Sequence, residues 1–251
     1  MTVSHSWLIL RLEAPLVAFG GVTVDQIGVI RDFPAASMLT GLIANALGWD
    51  RSQRAAHQAL QDRLVFSVRR DRESASGILT DSQNAKLEKD KGWTTWGEPE
   101  ERAGATYDSP HRRRRDYHPD ACVTVAMRLR TLDRNLATNS DLELNLDRIA
   151  AALDYPARPI FLGRKPCLPT APVHLSQISA KSAYDALTLV SPVGQPGQPL
   201  RALWPLGEGP ESGANVDRVV ELPDLRNWRT GLHGGSRTVV EGRVIPVETS
   251  Q

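Results

Sequence analysis

Apolar side chains recur along the chain in two rhythms. Residues 7–12, WLILRL, place Leu8, Leu10 and Leu12 on one face, the period-two pattern of a strand with one buried side. A loop with Pro15, Gly20 and Gly21 follows, and the rhythm then changes. Met38, Leu39, Leu42, Ile43, Ala46 and Leu47 recur at helical spacing, with Ser37 as the expected N-cap and Gly48 as the stop. A short helix over Arg54–Leu60 leads into LVFSVRR at 64–70, read as a strand with Leu64 or Val65 facing the core.

From 77 to 119 apolar periodicity fades and Gly92, Gly97, Pro99, Gly104 and Pro110 punctuate the chain. A stretch of this length without a core pattern reads as an excursion from the sheet, a long irregular hairpin. Strict alternation returns in ACVTVAMRLR at 121–130, a strand. Ser140 and Glu143 have capping-box spacing ahead of a stripe of Leu142, Leu146, Ile149 and Leu153, a second major helix that Pro156 and Pro159 end. Beyond it Pro and Gly are dense, and 206–224 carries five acidic residues against Arg218, which predicts a loosely ordered extension closing in a strand at 238–247.

The order strand, helix, strand, excursion, strand, helix implies an α+β fold with helices on one face of an antiparallel sheet. A ferredoxin-like, RNA-recognition-motif-like domain over 1–155, including the excursion at about 77–118, fits that order. Residues 156–251 then form a Gly/Pro-rich loop and a smaller C-terminal extension.

Composition narrows the function. With 30 Lys+Arg against 29 Asp+Glu the formal charge is +1, so the chain is not a uniformly basic polyanion binder. At 41% hydrophobic and 24% charged it is an ordinary folded protein. No apolar run approaches the roughly 18 residues that span a bilayer. Cys122 and Cys167 form neither a disulfide framework nor a zinc knuckle, and a reducing cytoplasm is expected. The cations are skewed, 25 Arg against 5 Lys. Arginine's planar fork pairs bidentately with phosphate and stacks on bases, but a GC-rich genome gives the same excess, so position has to decide.

Four basic segments result. HRRRRDYH at 111–118 is the most conspicuous; on an extended strand Arg112 and Arg114 project to one face, Arg113 and Arg115 to the other, beside Tyr117. IRDFPAAS sets Arg31 before a helix whose first amides are unpaired, an anion site, with Phe19 as a stacking surface and Gly20 allowing close backbone approach. FLGRKPC offers Gly163, Arg164 and Lys165 but no Walker loop. The fourth cluster is Arg229, His233, Gly234, Gly235 and Arg237.

No metal, cofactor or nucleophile motif is present in the sequence. Metal-independent cleavage of RNA would have to use His111, Tyr117 or His118 as acid and base, yet neighbours on a strand point apart. Trp93 and Trp96, in GWTTWG, are the expected anchors of the excursion against a partner protein.

Five segments in order, WLILRLEAPLVAFG, RDFPAASMLTGLIANALGWDR, RRRRDYHPDACVTVAMRL, IFLGRKPCLPTAPV and the RNWR tail, resemble the CasD family of type I CRISPR Cascade subunits, most similarly its E-subtype branch. The resemblance implies a RAMP-type protein: a modified ferredoxin-like domain with a thumb-like hairpin, no enzymatic task, and the 5′ end of the crRNA capped by the subunit. It implies RNA contacts at Pro15, Phe19 and Gly20, at Arg31 and Ser37, at Arg115 and Tyr117, and at Gly163 and Arg164. Implied partners are the crRNA 5′ handle, the Cascade backbone and large subunits, and target DNA through the assembled complex. A related branch is itself the endoribonuclease that processes precursor crRNA, which keeps Tyr117, His118 and His111 as the competing reading; a generic protein-interaction scaffold is the third.

Overall fold

The structure, a computed structural model, describes residues 3–21, 23–85, 92–93, 99–100, 111–131, 144–194 and 197–247. Its centre is a run of strands too apolar to leave either face wet. β1 (His5–Val17) buries Leu8, Leu10 and Leu12 on one side and Trp7 and Ile9 on the other. It lies between β8 (His111–Leu129) and β9 (His174–Ala180), and β4 (Leu64–Arg72) pairs with the other edge of β8. The sheet continues through β10 (Leu200–Pro205), β12 (Arg237–Val244) and β11 (Val216–Leu222), giving the order β11-β12-β10-β4-β8-β1-β9, antiparallel throughout.

On one face α1 (Ala36–Ala46) and α3 (Leu146–Asp154) pack Leu39, Ile43, Ile149 and Leu153 onto Leu8, Leu10, Phe66, Val123 and Val125. α2 (Arg54–Arg63) adds Leu60. The helices were expected on this face alone. The opposite face carries α4 (Ala183–Leu189), which covers Trp7, Ile9, Val65 and Trp204 with Ala183, Ala186 and Leu187. The reason lies in WLIL: a strand apolar at successive positions must be covered on both sides. Arg69, fully buried there, donates to Asp71 Oδ1 at 2.6 Å, to Val190 O at 2.7 Å and to Leu187 O, so its charge meets the carbonyl end of α4.

Three local expectations change. The N-cap of α1 is Ala35, not Ser37. The cap of α3 is Asn145, whose side chain accepts from Arg148 N at 2.8 Å; Ser140, Leu142 and Glu143 lie outside the described residues. The described residues beyond 155 are not loosely ordered. β9 and β10 pair with β1 and β4, and three of the five acidic residues of 206–224 are tied down: Glu208 to Arg128, Asp224 to Arg237, Glu221 to Ser236 and Thr238.

The excursion begins as a hairpin stem. β5 (Leu79–Ala85) pairs antiparallel with His111–Tyr117 of β8. A small ladder, β2 (Thr23–Val24) with β3 (Ile27–Gly28), joins the other edge of the stem, β3 running parallel to Arg114 and Arg115. Within the hairpin, β6 (Gly92–Trp93) pairs with β7 (Pro99–Glu100). Trp96 lies outside the described residues, as does the side chain of Trp93. Among the described residues no helix is long and apolar enough to cross a membrane.

Candidate nucleic-acid interface

Three of the four basic segments meet in one groove of about 1220 Å³. Its walls come from Gly20 and Gly21, one side of α1, the 49–57 stretch that follows it, the 158–163 segment and the loop 223–233. Five arginines line it, Arg31, Arg51, Arg54, Arg158 and Arg226, against two aspartates, Asp50 and Asp224. A chain of net charge +1 thus concentrates positive charge in one concave place.

Close backbone approach builds the floor. Gly163 sits at φ +94°, and a Cβ there would lie 1.6 Å from Ala18 O. Only glycine lets the 162–163 turn reach the first loop, where Ala18 N donates to Leu162 O at 3.1 Å. Gly20, at φ +89°, turns the chain so that Arg31 N donates to its carbonyl at 2.9 Å and Ala35 N to Phe19 O at 3.0 Å. Phe19 is consequently 0% exposed. It is a core side chain, not a stacking surface for a base, because the turn that presents Gly20 drives the preceding ring inward.

The helix N-terminus expected to take phosphate is already filled by a carboxylate of the chain. Asp224, 2% exposed, accepts from Ala36 N at 3.1 Å and from Arg237 Nη2 at 3.0 Å, while its carbonyl accepts from Ser37 N at 3.2 Å. Ser37 still lines the groove, without capping. Arg31 donates to Pro223 O at 2.6 Å, which ties the same loop to the helix entry. Arg158 donates to Gly48 O and Trp49 O at 2.8 and 2.7 Å, in the turn that follows α1, and Arg54 donates to Arg229 O at 3.0 Å. Arg51 is exposed and makes no side-chain hydrogen bond or ion pair among the described residues.

The second wall docks on α2 through two glutamines. Gln61 accepts from Arg226 N at 3.1 Å and donates to Arg226 O at 2.8 Å, as a neighbouring strand would, and Gln58 accepts from Trp228 N at 3.0 Å. Trp228 then lies 4.8 Å from His57, whose ring meets Trp49 edge-on at 5.6 Å. Sequence reasoning noticed His233 in this loop but missed Trp49, Arg51, Arg54, His57, Arg158, Arg226 and Trp228. They are single residues on separate segments, and the only local signal was an aromatic beside an arginine in GWDR and RNWR.

The arginine run lies elsewhere, on the stem. Arg112, Arg113 and Arg114 are exposed and Arg115 is half-buried, donating to Arg114 O at 3.0 Å. Arg164 spans from the glycine loop to the stem, donating to Asp116 O at 2.8 Å and Gly28 O at 3.1 Å with its guanidinium carbon 4.9 Å over the ring of Tyr117. Tyr117 is 5% exposed, so its ring is covered by protein and does not present a face to RNA. Lys165 and Pro15 are exposed.

His118 is also buried and fully engaged. Its Nε2 lies 2.9 Å from Arg31 O and its Nδ1 3.4 Å from Arg70 Nη2. A carbonyl only accepts and a guanidinium only donates, so the neutral ring holds its proton on Nε2. Burial lowers its pKa, helped by Arg70, which keeps it neutral. Both nitrogens are thus engaged, and the competing ribonuclease reading finds no support in His118 or in the covered Tyr117. His111 begins β8, and its side chain is outside the described residues. Both cysteines are buried, and burial pushes the Cys122 thiol up to about 12, which disfavours its thiolate.

Residues 7–240 match the family model Cas_Cas5d, described as CRISPR-associated protein (Cas_Cas5). The chain belongs to the Cas5 family. The resemblance read from its five segments therefore holds. A curated relative, the CRISPR system Cascade subunit CasD of Escherichia coli (strain K12), is 28% identical over 191 residues, 76% of this chain and 79% of CasD. A chain of a CRISPR RNA-guided surveillance complex superposes with a TM-score of 0.62 at 21% identity, covering 95% of this chain and 90% of that one. A chain from the crystal structure of a Cas protein gives 0.54 at 21% identity, covering 96% and 97%. The sheet-dominated mixed α/β architecture is thus that of solved Cas proteins, and in this Cas5 chain the basic groove is the concave feature to be explained.

Proposed function

We propose that the chain is a noncatalytic RNA-binding subunit of a cytoplasmic CRISPR Cascade effector, which holds the 5′ handle of the crRNA and caps the complex for RNA-guided DNA interference. The observation that carries this reading is the groove. Five arginines converge between the first loop, α1, the glycine turn and the 223–233 loop, and one of them, Arg51, has its guanidinium uncommitted among the described residues. Arginine forks bind phosphate oxygens in pairs, and glycine-rich turns let a sugar-phosphate backbone come close. Arg31, Ser37, Gly20 and Gly163 belong to the groove; exposed Arg112, Arg113, Arg114 and Lys165 supply further phosphate contacts. Phe19, Tyr117 and Arg164 support those surfaces from beneath.

The domain is read as a modified ferredoxin-like fold. In support, strand–helix–strand–strand–helix–strand runs through β1, α1 with α2, β4, β8, α3 and β9, with spatial order β9-β1-β8-β4. The stem of β5 and β8 is the base of the thumb-like excursion, whose tip, with Trp93 and Trp96, is assigned to the backbone subunit; residues 156–251 supply β9 as the fourth strand of that unit, and then the C-terminal strands β10, β11 and β12. The relative is named as a Cascade subunit, and on that reading we assign the large subunit as the other protein partner.

The noncatalytic reading rests on the engagement of His118 and the cover over Tyr117. Reconstituting the complex on handle RNA with wild-type subunit and with Arg51→Ala/Arg54→Ala tests the binding half. Weakened retention of the handle is expected; unchanged retention overturns the groove assignment. Incubation with repeat RNA in chelator tests the other half, and specific cleavage at the handle boundary would install the ribonuclease.

A further inference from the structure

The groove's wall includes two tryptophans in different situations. Trp228 is occupied: its indole N–H donates to Gln61 Oε1 at 3.0 Å, one neighbour is the His57 ring, and the Arg226 guanidinium carbon lies 5.2 Å from its centroid. Trp7 and Trp204, in the core, donate to Ala180 O at 3.2 Å and Pro210 O at 3.0 Å. Trp49 differs from all three. Among the described residues its indole N–H has no acceptor, and its ring is half-buried on the groove wall.

Trp49 is nevertheless held rigidly. Its backbone N–H donates to Ala44 O at 2.9 Å, its carbonyl accepts from Arg158 at 2.7 Å, and His57 abuts its ring. Gly48, at φ +79°, ends α1 directly before it and aims the chain out of the helix. Two residues further on, exposed Arg51 is uncommitted among the described residues, whereas the carboxylate of the neighbouring exposed Asp50 is engaged by Ser52 N at 2.8 Å. A fixed aromatic ring with a free indole donor, beside a free guanidinium in a cationic groove, suits a planar ring joined to a phosphate.

We propose that Trp49 and Arg51 form a base-stacking subsite: an unpaired nucleobase of the bound RNA lies on the Trp49 ring and Arg51 holds an adjoining phosphate. This rests on the reading of the groove as an RNA site and adds to it a residue that distinguishes a base from bare backbone. Stacking is tolerant of base identity, so the subsite requires a base there without prescribing which.

The test is a cycle between protein and RNA in the reconstituted complex. Handle RNAs carrying a single abasic nucleotide, moved along the handle, are bound to complexes with wild-type subunit, Trp49→Ala, Trp49→Phe and Trp49→Leu. One abasic position should weaken wild-type binding by about tenfold. Trp49→Ala should weaken binding of intact RNA equally and lose all further sensitivity to that position; Trp49→Phe should restore most of both. Trp49→Leu keeps an apolar side chain against His57 without an aromatic face, so it should behave as Ala even if Ala destabilises the fold. Equal abasic penalties in wild type and Trp49→Leu at every position would overturn the subsite while leaving the groove reading standing. Absence of handle binding by the wild-type complex would overturn both.

Discussion

The stem and the groove are the two arginine-rich regions of the molecule, and they are built in opposite ways. Arg112–Arg115 are consecutive in the chain but lie on an extended strand, where successive side chains leave on opposite faces. Arg31, Arg51, Arg54, Arg158 and Arg226 are scattered over nearly two hundred positions, and the fold gathers them around one cavity. Density along a sequence is therefore a poor measure of density in space. What makes the groove is a set of close backbone approaches and buried ties; what makes the stem is chiefly a ladder of strand hydrogen bonds, anchored at its base by Arg164.

The contrast predicts that disturbing one small group in the groove's supports costs more than removing several charges from the stem. The largest effect is expected at Gly163. Substitution by Ala puts a methyl 1.6 Å from Ala18 O on a backbone at φ +94°, so the turn or the first loop must move. A loss exceeding about 4 kcal/mol, or failure to fold, is expected in a denaturant titration, since both strain and a backbone clash apply. Near-native stability would mean that the glycine turn does not set the groove's floor.

Next is Asp224→Ala. It strips the cap from Ala36 N and leaves Arg237, whose guanidinium carbon is 4.1 Å from the Phe66 ring centroid, without its carboxylate. Breaking such a buried pair typically costs about 3–5 kcal/mol. Chemical denaturation measures it, and a cost below about 1 kcal/mol would show that the tie between the 223–233 loop and α1 is dispensable.

These two residues also mark what the sequence could and could not reveal. Long-range alternation and helical spacing were legible: WLILRL, the 38–47 stripe, LVFSVRR and ACVTVAMRLR are β1, α1, β4 and β8. HLSQISA and LRALWP were not, since an edge strand half open to solvent and a strand ending in proline carry weak patterns. Ser182, whose side chain accepts from Asp185 N at 3.1 Å, was a readable cap for α4. The groove was legible only in fragments. Gly20, Arg31 and Gly163 stand out by their local company, but nothing in IRDFPAAS says that a carboxylate 188 positions away fills the helix end. Phe19, expected as a stacking surface, and Tyr117, expected as an RNA contact, are both buried, because burial is decided by partners distant in sequence.

A smaller effect, on binding alone, separates the regions directly. Arg51→Ala/Arg54→Ala should lower handle affinity in the assembled complex by roughly tenfold or more, because the phosphates at that site no longer receive charge-assisted hydrogen bonds. Arg54 also ties the groove's second wall through Arg229 O, so a melting curve should accompany the titration. Equal losses from this pair and from Arg112→Ala/Arg113→Ala would erase the distinction between groove and stem.

Between the two regions sits His118, bridging the stem to Arg31 O. Burial holds its pKa below the ordinary 6.5, so the unfolded chain binds a proton that the folded chain refuses. Stability is therefore full above 6.5 and falls as pH drops from there toward the lowered folded value, at up to about 1.4 kcal/mol per pH unit from this group. Denaturant midpoints taken between about pH 7 and pH 5 should decline, and His118→Gln should flatten that decline. A slope unaffected by the substitution would mean that His118 accepts a proton in place.

The smallest effect belongs to the most conspicuous residues. Arg112, Arg113 and Arg114 project from the stem into solvent, so their joint replacement by Ala should leave stability within about 0.5 kcal/mol for each site. Their contribution to RNA binding should be that of exposed charges near a polyanion: a modest loss at physiological salt, and a gentler dependence on salt, by about 0.7 in logarithmic slope for each single-strand phosphate no longer neutralised. The groove variants should behave differently, because Arg51 is paired in the proposed subsite with a stacked base whose contribution salt does not screen. Titrating handle RNA at several salt concentrations resolves the two classes: the stem variant's curve should converge with wild type as salt rises, whereas the deficit of Trp49→Leu/Arg51→Ala should persist. Persistence of the stem deficit at high salt would give the arginine run a specific, desolvated contact and make it the equal of the groove.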